Sequence, residues 1–300
     1  MSRHWGWFWA RAWALLLIAA ICWAGNSVAA RLAVGEVSPM TLVFARWLVI
    51  GLVLAIAIPG QVRAHLPTLW AHRWYVLGLA GLGLTGFNAL LYLAAHSTTA
   101  INIVLLQSCV PALVLVGALA RGDKITGMQF LGIAITLLGV IVVATHGDLS
   151  RLRDLSFNRG DLLMMTGCLG GAWYNLSLRK RPPIPAIVFF AGLSLGAALA
   201  SAPLLMIEAA RGEAFWPSWI GWSIILFCAL MPALGAQVFF LRAVDLIGAA
   251  RAGVYTNLVP VFGAILGVLA GEIFAFHHAV GLVLVIGGIW LAERRAEKSH

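Results

Sequence analysis

Residues 131–144 read LGIAITLLGVIVVA, fourteen consecutive positions without a charged side chain. Residues 280–292 have the same character, VGLVLVIGGIWLA. In neither stretch do apolar and polar residues alternate, as they would along the strands of a membrane barrel. A continuous apolar run of this kind predicts a helix in a membrane rather than a strand.

Similar runs recur along the whole chain of 300 residues, which is 62% hydrophobic and 10% charged, with a mean hydropathy of +0.95. Soluble domains are typically about half apolar and about one quarter charged, so the composition excludes a soluble globule. The sequence predicts an all-α polytopic membrane protein with ten transmembrane helices, over residues 12–33, 38–59, 74–94, 98–120, 127–145, 160–178, 185–206, 218–240, 246–270 and 278–292.

The chain has a net charge of +9. In a membrane protein, the placement of the cations indicates the orientation of the chain in the membrane rather than a nucleic-acid partner. With the first residues inside, thirteen of the twenty Lys and Arg residues lie in cytoplasmic segments and four in external ones. This bias predicts that both termini are cytoplasmic. The first 30 residues have the cations and the apolar run of a secretory signal, but the run continues to a full span, so we expect it to be retained.

The chain repeats itself at an offset of 149 residues without gaps. This offset superposes Asn26 on Asn175, Pro111 on Pro260, and many glycines on glycines, including Gly86 on Gly235, Gly122 on Gly271, Gly132 on Gly281 and Gly139 on Gly288. The sequence thus predicts two units, 1–150 and 151–300, of five helices each. Because five is odd, the second unit enters the membrane from the opposite side, and such inverted repeats are typical of secondary transporters.

The motifs that carry the repeat resemble a known family. Trp23-Ala-Gly-Asn26, Arg46 and Gly122-Asp123 in the first unit, with Leu258-Val-Pro260 and Gly271-Glu272 in the second, resemble the EamA-type repeat of the drug/metabolite transporter superfamily. Within it, the chain is most similar to the YddG-type amino-acid exporters. The resemblance implies efflux of aromatic and other neutral amino acids across the bacterial inner membrane. The chain departs from the pattern at Asp123, where glutamate is usual, and at Leu195, the equivalent of Arg46.

Polar and aromatic side chains inside the spans are the candidate substrate-binding residues. Amides and hydroxyls are costly to expose to lipid and should face the bundle interior, where they would bind a zwitterion or simply join helices by hydrogen bonds. Aromatic rings beside them would suit an apolar side chain or merely fill the core. The candidates are Trp23, Asn26, Asn88, Tyr92, Asn102, Gln107, Trp173, Asn175, Gln237, Tyr255 and Asn257.

Pro111 and Pro260 are predicted to interrupt the fourth and ninth spans, and matching interruptions in two halves point to a binding site. The alternative is a kink that only shapes packing. Arg46 lies about 12 Å deep in the second span, by helical rise. It would bind a substrate carboxylate or hold helix ends together, and the leucine at its repeat equivalent favours the structural role.

All eleven acidic residues fall in predicted loops or at span ends, which predicts facilitated or weakly coupled export. Without a P-loop or a CxxC pair, we expect no cofactor and no metal, and the protein is not expected to be an enzyme. The expected partners are amino acids and the lipid bilayer, with no nucleic acid, and the chain is expected to be a monomer, with a homodimer as the alternative. Two other functions stay open: export of another metabolite or a cationic drug, and an intramembrane serine protease around Gly192-Leu-Ser194-Leu-Gly196.

Overall fold

The computed structural model describes residues 11–122, 126–148, 158–247, 252 and 255–293, and within these ranges all regular structure is helical. The α-helices, in chain order, are α1 Ala12–Leu32, α2 Pro39–Ala57, α3 Pro59–Ala71, α4 Arg73–Ala94, α5 Ala100–Gln107, α6 Val110–Ala120, α7 Gly127–Ala144, α8 Arg159–Ser177, α9 Ala186–Ala210, α10 Trp219–Ile247, α11 Val259–Leu269 and α12 Phe276–Glu293. Short 3₁₀ turns follow α8, at Leu178–Lys180, and precede α11, at Tyr255–Leu258.

Seven helical segments in the described part of the chain are long and apolar enough to cross a bilayer. Two shorter apolar helices cover Tyr255–Leu269 and Phe276–Leu291. The remaining predicted span corresponds to α8, which is less apolar because it carries several glycines and polar residues. Every predicted span overlaps a helix, and the count of ten crossings stays a prediction. Large apolar side chains such as Ile56 and Leu199 point outwards, as expected of a protein surrounded by lipid.

Helix α3 was not predicted, because the segment between the second and third spans has no continuous apolar run. Pro59 occupies the first turn, where its fixed φ suits helix initiation and its missing N–H is not needed. None of its residues is buried. The helix therefore lies against the bundle rather than within it, and it has no counterpart in the second half.

The two halves share backbone irregularities at the 149-residue offset. Helices α4 and α10 each contain a π-helical segment, at Leu79–Gly86 and Ala229–Gly235. The fourth and ninth spans are each divided into two short helices, α5 with α6 and the 3₁₀ turn with α11. Gly122 and Gly271 end these spans with φ of 89° and 92°, values that favour glycine. The duplication therefore extends to the backbone as well as to the residue types.

The main contacts between helices of the two halves occur in equivalent pairs, or join a helix to its own equivalent in the other half. The equivalent helices α2 and α9 pack together, and so do α7 and α12. The contact of α1 with α10 is matched by that of α8 with α4, and the contact of α1 with α11 is matched by that of α8 with α6. This pairing is the arrangement that an approximate two-fold axis between the halves produces.

Candidate functional site

A central cavity of about 250 Å³ lies between the two halves. Its lining is mostly aromatic and amide, with one charged residue, Arg46. None of the described residues that line it is acidic. The side chains that matter for its chemistry are Trp23, Asn26, Arg46, Trp47, Phe87, Asn88, Gln107, Tyr174, Phe190 and Gln237.

Arg46 is the most highly bonded side chain of this cavity. Its Nη1 donates to Asn26 Oδ1 at 3.0 Å, to Asn88 Oδ1 at 2.7 Å and to the Tyr92 hydroxyl at 2.5 Å. Asn88 Nδ2 in turn donates to the Leu84 carbonyl at 2.8 Å, which turns the Asn88 oxygen towards the guanidinium. The guanidinium carbon also lies 5.2 Å from the centre of the Trp47 ring, within the range of a cation–π contact. The guanidinium is thus held in place by neutral groups, which leave its charge uncompensated.

Two donors at the cavity have no partner in the structure. Arg46 Nε and Trp47 Nε1 are both buried and make no hydrogen bond. An unsatisfied buried donor costs about 1–3 kcal/mol, and more when it is charged. Both donors belong to residues that line the cavity, next to the uncompensated charge of the guanidinium.

The π-helical segments explain how the amides of both halves reach this cavity. Asn88 follows the segment that ends at Gly86, and Gln237 follows the one that ends at Gly235. A π turn adds a residue to the helix and so rotates the residues that come after it, and such turns are frequent at functional sites. The paired irregularities therefore bring one amide from each half to the same cavity.

The structure brings seven of the predicted residues together and separates the others. Six of them line the cavity: Trp23, Asn26, Arg46, Asn88, Gln107 and Gln237. Tyr92 does not line it but accepts a hydrogen bond from Arg46. Trp173 is 39% exposed on α8 and does not line the cavity. Asn175 lines a second cavity of about 350 Å³ beside Pro111, where its Nδ2 donates to the Gly171 carbonyl.

The remaining predicted residues do not line the central cavity. Asn102 belongs to a polar cluster near the predicted outer face, where it bonds to Thr98, Asp161 and His278. Tyr255 packs against an apolar cluster with Leu15 and Ala243, and Asn257 lies in the 3₁₀ turn before α11. Neither Asn102 nor Tyr255 is among the residues that line the central cavity.

Pro111 and Pro260 do not kink continuous helices. Each lies in the first turn of the second short helix of its span, α6 or α11, after a break in the α-helical hydrogen bonding. Proline is suited to this position because its nitrogen needs no acceptor there. Val259, at the start of α11, lines the central cavity.

Several cavity residues escaped the sequence analysis. Trp47, Phe87 and Phe190 are aromatic residues in long apolar runs, and apolar runs alone do not show which ring faces a cavity. The signal that was available for Trp47 is its position next to Arg46. Ser194, the candidate nucleophile of the protease alternative, is buried and donates to the Phe190 carbonyl one turn earlier, as serines in membrane helices commonly do.

Carboxylates tie the two halves together at the predicted outer face. Glu208 accepts from the Met40 backbone N–H at 3.1 Å, and Glu272 accepts from the N–H groups of Ala100 and Ile101 at 2.6 and 3.0 Å. The Ser218 hydroxyl donates to Glu36.

At the opposite face, the bonds between the halves run to backbone carbonyls, from Tyr75 to Ser177 and from Arg121 to Leu176. The carboxylate bonds, together with the outer polar cluster, join the two halves at the predicted outer ends of the bundle.

Comparison with known proteins yields one family and several relatives. The model of the EamA-like transporter family matches residues 10–145 and again residues 158–293. The uncharacterized transporter YyaM of Bacillus subtilis is 28% identical over 74% of this chain and 73% of its own length. The uncharacterized transporter YetK of the same organism is 26% identical over 92% of this chain and 84% of its own.

An uncharacterized transporter of Archaeoglobus fulgidus is 24% identical over 94% of this chain and 96% of its own. A solved crystal structure superposes on the present one with a TM-score of 0.63. The superposition covers 96% of this chain and 99% of the chain in the solved structure, at 21% sequence identity. At this identity the likeness concerns the fold alone.

Proposed function

Since the chain belongs to the EamA-like transporter family, and is thus a multi-pass membrane transporter, we propose that it exports aromatic and other neutral amino acids from the bacterial cytoplasm. The observation that carries this proposal is the uncompensated guanidinium of Arg46, in a cavity whose described lining has no acidic residue. A substrate with a carboxylate would satisfy that charge, whereas a cationic drug would be repelled by it.

The amide groups complete the recognition of a zwitterion. The carboxylate would bind the Arg46 guanidinium, whose charge the described lining leaves uncompensated. The ammonium group would donate to amide oxygens of the lining, among them those of Gln107 and Gln237, or lie against an aromatic ring. Arg46 thus takes the substrate-binding role that the sequence analysis had ranked second.

The size and walls of the cavity favour a small substrate with an apolar side chain. Pockets for drug-sized ligands measure about 300–1,000 Å³, and the central cavity has about 250 Å³. The aromatic rings of Trp23, Phe87, Tyr174 and Phe190 line the cavity and would contact the substrate side chain. Aromatic and larger aliphatic amino acids match both properties.

Transport would follow from the exchange of the two halves. In the proposed topology ten helices cross the inner membrane, both termini are cytoplasmic, and the second repeat is inverted. The closed outer face corresponds to a carrier whose next step, for export, is to open outwards. Because no carboxylate lines the cavity, we propose facilitated or weakly coupled export, down the amino-acid gradient.

Counterflow in proteoliposomes tests the substrate class. Purified protein is reconstituted with an excess of unlabelled tryptophan inside, and uptake of labelled tryptophan, leucine and tetraphenylphosphonium is compared with that of protein-free vesicles. We expect transient accumulation of the two amino acids and none of the cation. Accumulation of the cation, or of neither amino acid, would overturn the proposal.

A further inference from the structure

The polar cluster near the predicted outer face contains a carboxylate that is completely shielded from solvent. We define this outer cluster by Thr98, Asn102, His146, Asp161 and His278. Asp161 Oδ1 accepts from the Thr98 hydroxyl at 2.5 Å and from Asn102 Nδ2 at 3.4 Å. Its other oxygen, Oδ2, makes no hydrogen bond and lies 3.5 Å from His146 Nε2. The oxygen of Asp161 that lacks a hydrogen bond therefore faces the His146 imidazole.

The backbone brings Asp161 into this position. A Cβ on the preceding residue, Gly160, would meet the Ala94 carbonyl oxygen at 2.7 Å, so the start of α8 lies directly against the turn between α4 and α5. Asn158 continues this contact, because its Nδ2 donates to the Ser97 carbonyl at 2.7 Å. The carboxylate is thus part of the junction between the first and second halves.

His146 reaches Asp161 from an uncommon backbone conformation. Its φ of 55° lies in the left-handed region that favours glycine, and glycine does occupy the next position, with φ of 78°. This conformation ends α7, because the His146 N–H donates to the Val143 carbonyl and the Gly147 N–H donates to the Val142 carbonyl, the bonding pattern of a left-handed helix C-cap. The His146 side chain is 32% exposed and that of Asp161 is 0% exposed, so the imidazole connects the buried carboxylate with outside water.

The third titratable member, His278, is held in its neutral form by two bonds. Its Nδ1 accepts from the Ala275 backbone N–H at 3.0 Å and therefore carries no proton. Its Nε2 lies 3.0 Å from Asn102 Oδ1, which requires that Nε2 donate. The His277 ring lies 4.1 Å from that of His278, and a charge on either would be unfavourable for the other. An extra proton on the cluster therefore belongs to His146 and Asp161.

We propose that the His146–Asp161 pair is a proton-binding site that holds the outer face closed. A buried carboxylate with an unsatisfied oxygen is costly in a medium of low dielectric constant, unless it is protonated or faces an imidazolium. In either case the closed state carries one proton more than an ionised aspartate and a neutral histidine together. When the outer ends of α5, α8 and α12 separate, water reaches Asp161, the requirement disappears and the proton leaves to the outside.

The direction of the pH effect follows from this linkage. The closed state binds the proton more strongly than the open state, so acid outside favours closure and alkali favours opening. Among the described residues, the His277 ring lies 5.4 Å from that of His146, and Glu272 is bonded to the N-terminus of α5. Asp148 and Arg159 each lie two residues along the chain from a member of the pair. Within the described ranges no three His, Cys, Asp or Glu side chains converge on a position that could hold a metal ion.

The proton returns to the side from which it came, so it regulates opening and does not drive transport. The inference rests only on the alternating-access part of the proposed function. It does not depend on which substrate the cavity binds. A measurement of gate opening without substrate therefore separates its failure from a failure of the amino-acid proposal.

The experiment follows the distance between spin labels at Ser97→Cys and Ile273→Cys, in nanodiscs of phosphatidylethanolamine and phosphatidylglycerol without substrate. Both positions are exposed and flank the outer cluster, whereas the four native cysteines are buried. From about pH 8.5 to about pH 5.5, around the ordinary pKa of histidine, we expect the closed population to increase. The ratio of closed to open molecules should change by up to about tenfold per pH unit.

Two variants in the labelled chain identify the group responsible. Asp161→Asn cannot ionise, so it should stay closed and lose the pH dependence. His96→Gln is the matched control on the same face, because partial burial and the Arg31 guanidinium lower the pKa of His96. A pH-independent distance in the unmodified chain, opening on acidification, or full pH dependence in Asp161→Asn would each overturn the proposal.

Discussion

The first and second halves of this transporter have the same backbone features but different side chains at the central cavity. The π-helical segments, the divided fourth and ninth spans and the left-handed glycines recur at the 149-residue offset. Arg46, Trp47 and Tyr92 have no such counterparts, because the equivalent positions hold Leu195, Gly196 and Leu241. The equivalent amides also differ in place, since Asn26 bonds to Arg46 and Asn175 lines another cavity.

This difference separates what the fold requires from what the substrate requires. Exchange of the halves depends on backbone geometry, which both halves must supply. A cavity that binds one carboxylate needs only one guanidinium, and a second cation within about 250 Å³ would repel the first. We therefore expect substitutions at shared backbone features to change stability, and substitutions at the unshared side chains to change transport.

The largest effect is expected when the charge asymmetry is removed. Arg46→Leu gives the first half the residue that the second half has, and tryptophan counterflow should fall by at least about 100-fold, because a charge-assisted contact with substrate is lost. Arg46→Lys keeps the charge without the planar fork and should retain intermediate activity.

The control for this prediction is Leu195→Met, a volume-conserving change at the equivalent position, which should leave counterflow within about twofold. Thermal stability of each purified variant shows whether it is folded. Substantial counterflow in folded Arg46→Leu would mean that the difference between the halves has no role in transport.

The next largest effect concerns the shared glycines between α7 and α12. A Cβ at Gly288 would meet the Thr136 backbone nitrogen at 2.6 Å, and one at Gly139 would meet the Gly281 carbonyl oxygen at 3.0 Å. Gly288→Ala and Gly139→Ala should each lower the free energy of unfolding by about 1–3 kcal/mol. The measurement is thermal unfolding in detergent.

Gly287→Ala is the matched control, because a Cβ there has no neighbour within 4 Å. This change should be neutral or stabilise the helix by up to about 1 kcal/mol. If Gly287→Ala destabilises as much as Gly288→Ala, the close approach of the two helices is not what these glycines provide.

The smallest effect distinguishes the paired asparagines. Asn26→Ala removes one acceptor of Arg46 Nη1, and we expect the counterflow rate to fall by about fivefold to tenfold, because Asn88 and Tyr92 still accept from the same nitrogen. Asn175→Ala should leave the rate within about twofold, since Asn175 does not line the central cavity. Equal losses in both variants would indicate that the halves contribute alike, as the repeat alone suggests.

Much of the fold could be predicted because its signals are long. An uncharged run such as residues 131–144 has one stable arrangement in a membrane, and a gapless offset across ten spans leaves one way of pairing the halves. Helix α3 was missed because an exposed helix of 13 residues has neither signal.

The site could be predicted only in part, because periodicity does not show the depth or neighbours of a side chain. Asn26, Asn88 and Gln237 were found since an amide within a span needs a polar partner. The same argument applied to Asn102, but its partner proved to be Asp161, a residue that the sequence placed at a span end. The burial of that carboxylate depends on the contact of α8 with the turn after α4, which no local pattern encodes.

The central claim is that Arg46 binds the carboxylate of the substrate. Its most direct test is calorimetric binding of tryptophan and of tryptamine, which lacks the carboxylate, to the unmodified protein and to Arg46→Leu. The account predicts that the unmodified protein binds tryptophan at least about 30-fold more tightly than tryptamine, about 2 kcal/mol, and that the preference falls below about threefold in Arg46→Leu. Equal affinity of the unmodified protein for the two compounds, or an undiminished preference in Arg46→Leu, would contradict it.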